Sequence, residues 1–207
     1  AVRVSANAQL VLASNDQNGS TSVKELFTEN RAVGTFLFWL AFFMCLLMLY
    51  ALGSWLPKLM MAAGYSLGSS LMFLLALNIG AVIGTISGGV LVDRFDFKPV
   101  LISMLVVGVL SLVGLGFNSP QPVIYLLVSL AGASSIGSSI LLYSYVAQYY
   151  PVAVRSTGIG WASAVGRTGA IVGPIVIGML LGMELPHKWN FIAVAIPGII
   201  GAMAIFF

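Results

Sequence analysis

Six successive apolar stretches, at about 33–56, 68–92, 98–117, 121–146, 156–181 and 189–207, contain no Asp or Glu. A helix of about 20 apolar residues spans the hydrocarbon core of a bilayer. Inside that core every backbone N–H and C=O has to find its partner within the protein. Six transmembrane helices meet both conditions. The stretches end at ordinary breakers, namely Pro57-Lys58, Asp93-Arg94, Asn118-Ser119-Pro120, Tyr150-Pro151 and Pro186-His187-Lys188. Only 7% of the residues are charged and 59% are hydrophobic, against about 25% charged in a soluble domain. No water-facing surface can be assembled from that supply. A soluble enzyme, a nucleic-acid-binding module and a disordered chain are excluded, and the bilayer is the expected surrounding. The single Cys45 rules out a disulfide framework and a Cys-rich metal site. His187, the one histidine, stands in an outer loop without zinc-ligand company. No metal and no cofactor are expected.

An even number of spans puts both ends of the chain on one side. Arg3, Lys24, Arg31, Arg94, Lys98 and Arg155 lie on that side, against Lys58 and Lys188 opposite. The positive-inside rule makes the termini and the loops at 93–98 and 147–155 cytoplasmic. The triplets 33–117 and 121–207 then start on opposite sides, which fits two inverted three-helix repeats as in secondary transporters. Residues 1–30 read as a polar segment, and 31–207 as the six-helix domain. Asn15 to Ser22 form a solvated linker, and Ser22-Val23-Lys24-Glu25 predicts a capping box opening a short surface helix. Asn18-Gly19-Ser20 is a glycosylation sequon by pattern alone. The chain begins at Ala1 with no signal-peptide pattern, as an interior piece of a longer protein would.

Between the second and third stretches runs Gly89-Val90-Leu91-Val92-Asp93-Arg94-Phe95-Asp96-Phe97-Lys98. A glycine permits close helix approach, a carboxylate closes one span, and cations follow at once. The segment resembles the signature loop G-x-L-x-D-R-x-x-x-[RK] of the major facilitator superfamily. Read without that resemblance, Asp93, Arg94 and Lys98 are interfacial charges.

A second resemblance covers the stretch from Gln148-Tyr149-Tyr150-Pro151 through Arg155, Trp161 and Arg167 to Gly173-Pro174. It is similar to the penultimate helix and preceding loop of the aromatic acid:proton symporters of that superfamily. Trp39 to Met44 and Ser54-Trp55-Leu56-Pro57 resemble the family's seventh helix. Tyr65 to Ser69 and Ala131 to Ser134 look closest to the benzoate transporters. The resemblance implies one half of a twelve-helix fold, helices seven to twelve with part of the central loop. It implies proton-coupled uptake of an aromatic carboxylate by alternating access, in the inner membrane, with an N-terminal six-helix half as partner. It also makes Gly89, Asp93, Arg94, Lys98 and Arg155 gating or signature-loop residues.

The residues themselves point to a site on the fifth stretch. Arg167 lies about 18 Å beyond Arg155 at 1.5 Å per residue, near mid-membrane. A guanidinium at that depth costs about 2.5–3.5 kcal/mol on the insertion scale, so it faces water, an anion or a carboxylate of the absent half. Ser156, Gly160, Ser163, Arg167 and Pro174 form a polar stripe, and Ala162, Gly166, Gly169 and Gly173 a small-residue stripe suited to helix contact. Candidate substrate-binding residues are Arg167, Asn78, Ser163, Ser138, Trp39 and Tyr143. Asn78 serves equally as a bond to a neighbouring helix. Serines such as Ser138 usually satisfy backbone carbonyls, and aromatic residues such as Trp39 and Tyr143 are usually core or interface.

Other readings stay open on residues alone. A transporter of another solute, such as sugar, phosphate or another organic anion, would share the fold. An intramembrane serine hydrolase would draw its nucleophile from Gly137-Ser138-Ser139 and its base from His187. Proton coupling needs a titratable group reachable from both sides. No span contains a carboxylate, so that group is expected in the other half.

Overall fold

The computed structural model describes residues 23–28, 30–117, 119–183 and 186–207, the side chain of His187 excepted. Six helices follow one short 3₁₀ turn, Val23–Phe27. They are α1 (Ala32–Ala62), α2 (Leu67–Phe95), α3 (Phe97–Leu115), α4 (Gln121–Tyr149), α5 (Val152–Gly182) and α6 (His187–Phe206). All six are long and apolar enough to cross a membrane. Ser22 and the sequon lie outside the described residues. The expected surface helix is a single turn there, with Leu26 fully buried against the bundle.

Helix ends differ from the hydrophobic boundaries, mostly by running longer, although α3 and α6 end one or two residues early. Most helices run on into the interfacial charges, so that Lys58 sits inside α1, Asp93 and Arg94 inside α2, and Arg155 inside α5. Long charged side chains reach water from such positions while the backbone stays helical. Between α2 and α3 the chain turns on one residue, Asp96, at φ 65°, a backbone region that favours glycine and tolerates Asp and Asn better than most.

Helix contacts follow a pattern. α1 packs most extensively on α5 and α4 on α2, α3 lies on α4 and α6 on α1, and α3 and α6 meet each other. Exchanging α1 with α4, α2 with α5 and α3 with α6 maps this pattern onto itself. Because three crossings separate the equivalent helices, the two triplets are related by inversion of topology, as expected.

Glycine makes the two strongest pairings possible. A Cβ at Gly169 or Gly173 of α5 would run into the backbone carbonyls of Phe43 or Leu47 on α1. On the equivalent pair, a Cβ at Gly80 or Gly84 of α2 would strike Ser129 or Ala133 on α4. Small residues bring the backbones together where no hydrophobic drive separates helix from lipid. The packed stripes place α2 and α5 on opposite flanks of α1 and α4. Their outer faces carry large exposed side chains such as Ile83 and Ile86 on α2 and Ile171 and Ile175 on α5.

Candidate functional site

Arg167 is the middle residue of α5, with fifteen helical residues on either side. The glycines turned toward α1 settle its direction. Gly166, Gly169 and Gly173 are buried, whereas Ser156, Gly160, Ala164, Arg167 and Thr168 are exposed. A Cβ at Gly160 would meet nothing within 4 Å. The guanidinium therefore stands on the open face of α5, with no ion pair or hydrogen bond among the described residues. An exposed cation at the centre of an apolar span of 31 residues requires an anion or water beside it.

One turn before it, Ser163 reaches across to α4. Its hydroxyl lies 3.0 Å from the hydroxyl of Tyr143 on α4, and the Tyr143 ring meets Phe42 of α1 edge-on at 4.8 Å. Three helices converge there. Tyr143 and Ser163 are thus brought together, next to the Arg167 stripe.

Other candidates lie elsewhere. Trp39 stacks on Trp161 at 5.9 Å and meets Phe27 and Phe36 edge-on. Trp161 is six residues from Arg167, about 240° round the helix, so this aromatic pair is not on the guanidinium's face. The Trp39 Nε1–H is buried without a hydrogen-bond acceptor among the described residues. Asn78 is exposed on α2 and donates to the Leu74 carbonyl at 2.8 Å. Nothing brings it to Arg167, since α2 and α5 sit on opposite flanks. Ser138 is fully buried and donates to the Ser134 carbonyl of its own helix. That bond is the ordinary backbone use of a serine in a membrane helix.

The signature-loop residues cluster at one end. Asp93 and Arg94 are exposed on the last turn of α2, and Lys98 is half-buried on the first turn of α3. Within this half the close helix approach is at Gly88 rather than Gly89. A Cβ at Gly89 meets open space, whereas one at Gly88 would press on Leu141 and Met104. Arg155 donates from Nε to the Tyr150 carbonyl at 3.3 Å, tying the start of α5 to the end of α4. At this end sits a link that the sequence reading missed. Tyr150 donates to the Thr35 hydroxyl at 2.7 Å, and Thr35 donates to the Leu26 carbonyl at 2.9 Å. The available signal was Thr35 itself, a polar residue in step with Phe38 and Phe42 on the buried face of α1.

The described residues form six pseudo-symmetric spans, the arrangement of one half of a twelve-helix membrane fold. The Major Facilitator Superfamily profile matches residues 39–207, and the chain belongs to that superfamily. It is 49% identical over 197 residues to the benzoate transport protein of Acinetobacter baylyi, covering 95% of the chain and 42% of that protein. It is 39% identical over 184 residues to the gentisate transporter of Corynebacterium glutamicum, covering 88% and 41%. A 4-hydroxybenzoate transporter of Pseudomonas aeruginosa is 34% identical over 168 residues, covering 80% and 36%. The chain spans less than half the length of these relatives. They are named as transporters, so the hydrolase reading falls away.

Proposed function

We propose that this chain is the C-terminal half of a proton-coupled transporter of aromatic carboxylates, working by alternating access with an N-terminal six-helix half. Residues 1–30 are then part of the central loop and 31–207 the six-helix domain, in the inner membrane with both ends cytoplasmic. Arg167 is the anion-recognising residue. The observation that carries this reading is its place on α5, mid-span, exposed and without an ion pair among the described residues. A planar guanidinium matches a carboxylate with two parallel hydrogen bonds. The relatives' named substrates, benzoate, gentisate and 4-hydroxybenzoate, share a carboxylate on an aromatic ring, which favours this solute class over sugar or phosphate.

Of the remaining candidates, Tyr143 and Ser163 fit best as polar lining beside Arg167. Trp39, Asn78 and Ser138 serve the substrate less directly, because the Trp39 ring packs on other aromatic rings and the Asn78 amide and Ser138 hydroxyl donate to carbonyls of their own helices. The sequence has no acidic residue within the apolar stretches, so the proton-carrying carboxylate belongs to the rest of the protein. The test is uptake of labelled benzoate by the full-length protein in proteoliposomes. Saturable uptake driven by an inward proton gradient, competed by hydroxybenzoates and unaffected by glucose or phosphate, is expected. Competition by glucose or phosphate in place of aromatic acids would overturn the substrate class.

A further inference from the structure

At the end of the bundle that holds the α2–α3 turn, a cavity of about 230 Å³ opens between α1, α3, α4 and α6. Its polar groups are the Lys98 ammonium and the phenols of Tyr145 and Tyr149. None of the three has a hydrogen-bond or ion-pair partner among the described residues. Neither Asp93 nor Asp96 lines the cavity, and neither pairs with Lys98. A lysine on the first turn of a helix also stands where the helix dipole favours negative charge. Cation and dipole together leave an unbalanced positive spot.

Beside it, on the outer surface, α3 and α6 form a groove of about 320 Å³. It is apolar throughout, lined by residues such as Ile102, Val106, Leu110, Ile199 and Met203 and ending at Phe206. The two features meet. Lys98 Nζ lies 5.7 Å from the centre of the Phe206 ring, and Ala204, Ile205 and Phe207 of the same helix end line the polar cavity. α3 and α6 are not among the helices that carry the Arg167 stripe.

We propose that this composite feature is a binding site for one anionic phospholipid. Its phosphate is held by Lys98 and the Tyr145 and Tyr149 hydroxyls, and one acyl chain lies in the α3–α6 groove. Basic pockets between transmembrane helices recognise anionic headgroups in this way, and the apolar lining of the groove matches a hydrocarbon chain rather than a soluble anion. Charge complementarity selects the headgroup, and the groove selects a lipid over free phosphate.

The test is native mass spectrometry of the full-length protein released from detergent containing equal phosphatidylglycerol and phosphatidylcholine. Retention of phosphatidylglycerol over phosphatidylcholine is expected. Lys98→Gln should weaken that preference about fivefold, in line with one lost cation at a lipid surface. Val106→Trp, an exposed position in the groove, should weaken retention of phosphatidylglycerol while the protein stays folded by thermal melt. Lys58→Gln, at the opposite end of α1, should change nothing. Equal retention of both lipids, or an unchanged preference in Lys98→Gln, would overturn the proposal. So would displacement of the lipid by millimolar inorganic phosphate with no effect of Val106→Trp, which would mark a free-anion site instead.

Discussion

The hydroxyls of Tyr143 and Ser163 lie 3.0 Å apart and join α4 to α5 beside the stripe that carries Arg167. Each helix belongs to the second three-helix repeat, and Phe42 of the first repeat closes on the Tyr143 ring. The contact adds to the α1–α5 glycine packing that turns Arg167 to the open face.

Removing either hydroxyl should therefore act through the same bond. In a double-mutant cycle of Tyr143→Phe and Ser163→Ala, a coupling energy of about 0.6 kcal/mol, and no more than about 1.7, is expected for one hydrogen bond between membrane helices. Unfolding of the full-length protein in mixed micelles measures it. Strict additivity would show that the two side chains do not interact.

The two kinds of glycine on α5 should separate cleanly. Gly169→Ala places a methyl against the Phe43 carbonyl and should destabilise the protein by about 1–3 kcal/mol through overpacking. Gly160→Ala has open space within this half and should leave its fold intact. A loss of transport without loss of stability in Gly160→Ala would place the other half against that face. Equal stability losses in both variants would contradict the α1–α5 contact.

These glycines also show how far the sequence could be read. A stripe of Ala162, Gly166, Gly169 and Gly173 announces a buried face by spacing alone, and the structure buries it. Periodicity cannot say which helix lies against that face. The choice of α1 came from tertiary contact between segments more than a hundred residues apart. The Tyr143–Ser163 bond was hidden because it too depends on which helices meet, although both residues stood out singly. Helix ends were read short because hydropathy stops at the first charge, while Asp93, Arg94 and Arg155 continue the helix. Ser138 looked polar in sequence but spends its hydroxyl on its own backbone.

The chain Tyr150–Thr35–Leu26 anchors the segment before α1. Tyr150→Phe should loosen it by about 0.5–1.5 kcal/mol, the worth of one buried hydrogen bond. Faster hydrogen exchange and proteolysis at residues 23–28 would report the loss. Burial pushes the Tyr150 phenol above its ordinary value, so the docked form holds its proton more tightly than the undocked one. The anchor should be at full strength below about pH 10 and weaken as pH rises through the raised value. Tyr150→Phe should abolish that alkaline dependence, and its persistence would assign the effect to another group.

Asp93 is exposed on the last turn of α2, where a carboxylate opposes the helix dipole. It has no ion pair among the described residues, so Asp93→Asn should change stability by less than about 0.5 kcal/mol. Its expected effect is on turnover, because a charge at this junction suits one of two alternating arrangements. Uptake rate should fall while benzoate affinity holds. Equal losses of both would argue against a gating role.

The central claim rests on Arg167, and calorimetry of benzoate binding to purified full-length protein tests it most directly. Arg167→Ala should cost about 2–5 kcal/mol of binding, as for a desolvated charge pair that loses one partner. Arg167→Lys should retain part of it, since a point charge replaces a planar fork. Arg155→Lys, at the start of α5 and bonded to the Tyr150 carbonyl, should bind nearly as the unaltered protein does. If Arg167→Ala melts at the normal temperature and binds benzoate with unchanged affinity, the guanidinium is a structural partner of the other half and the account of the site is wrong.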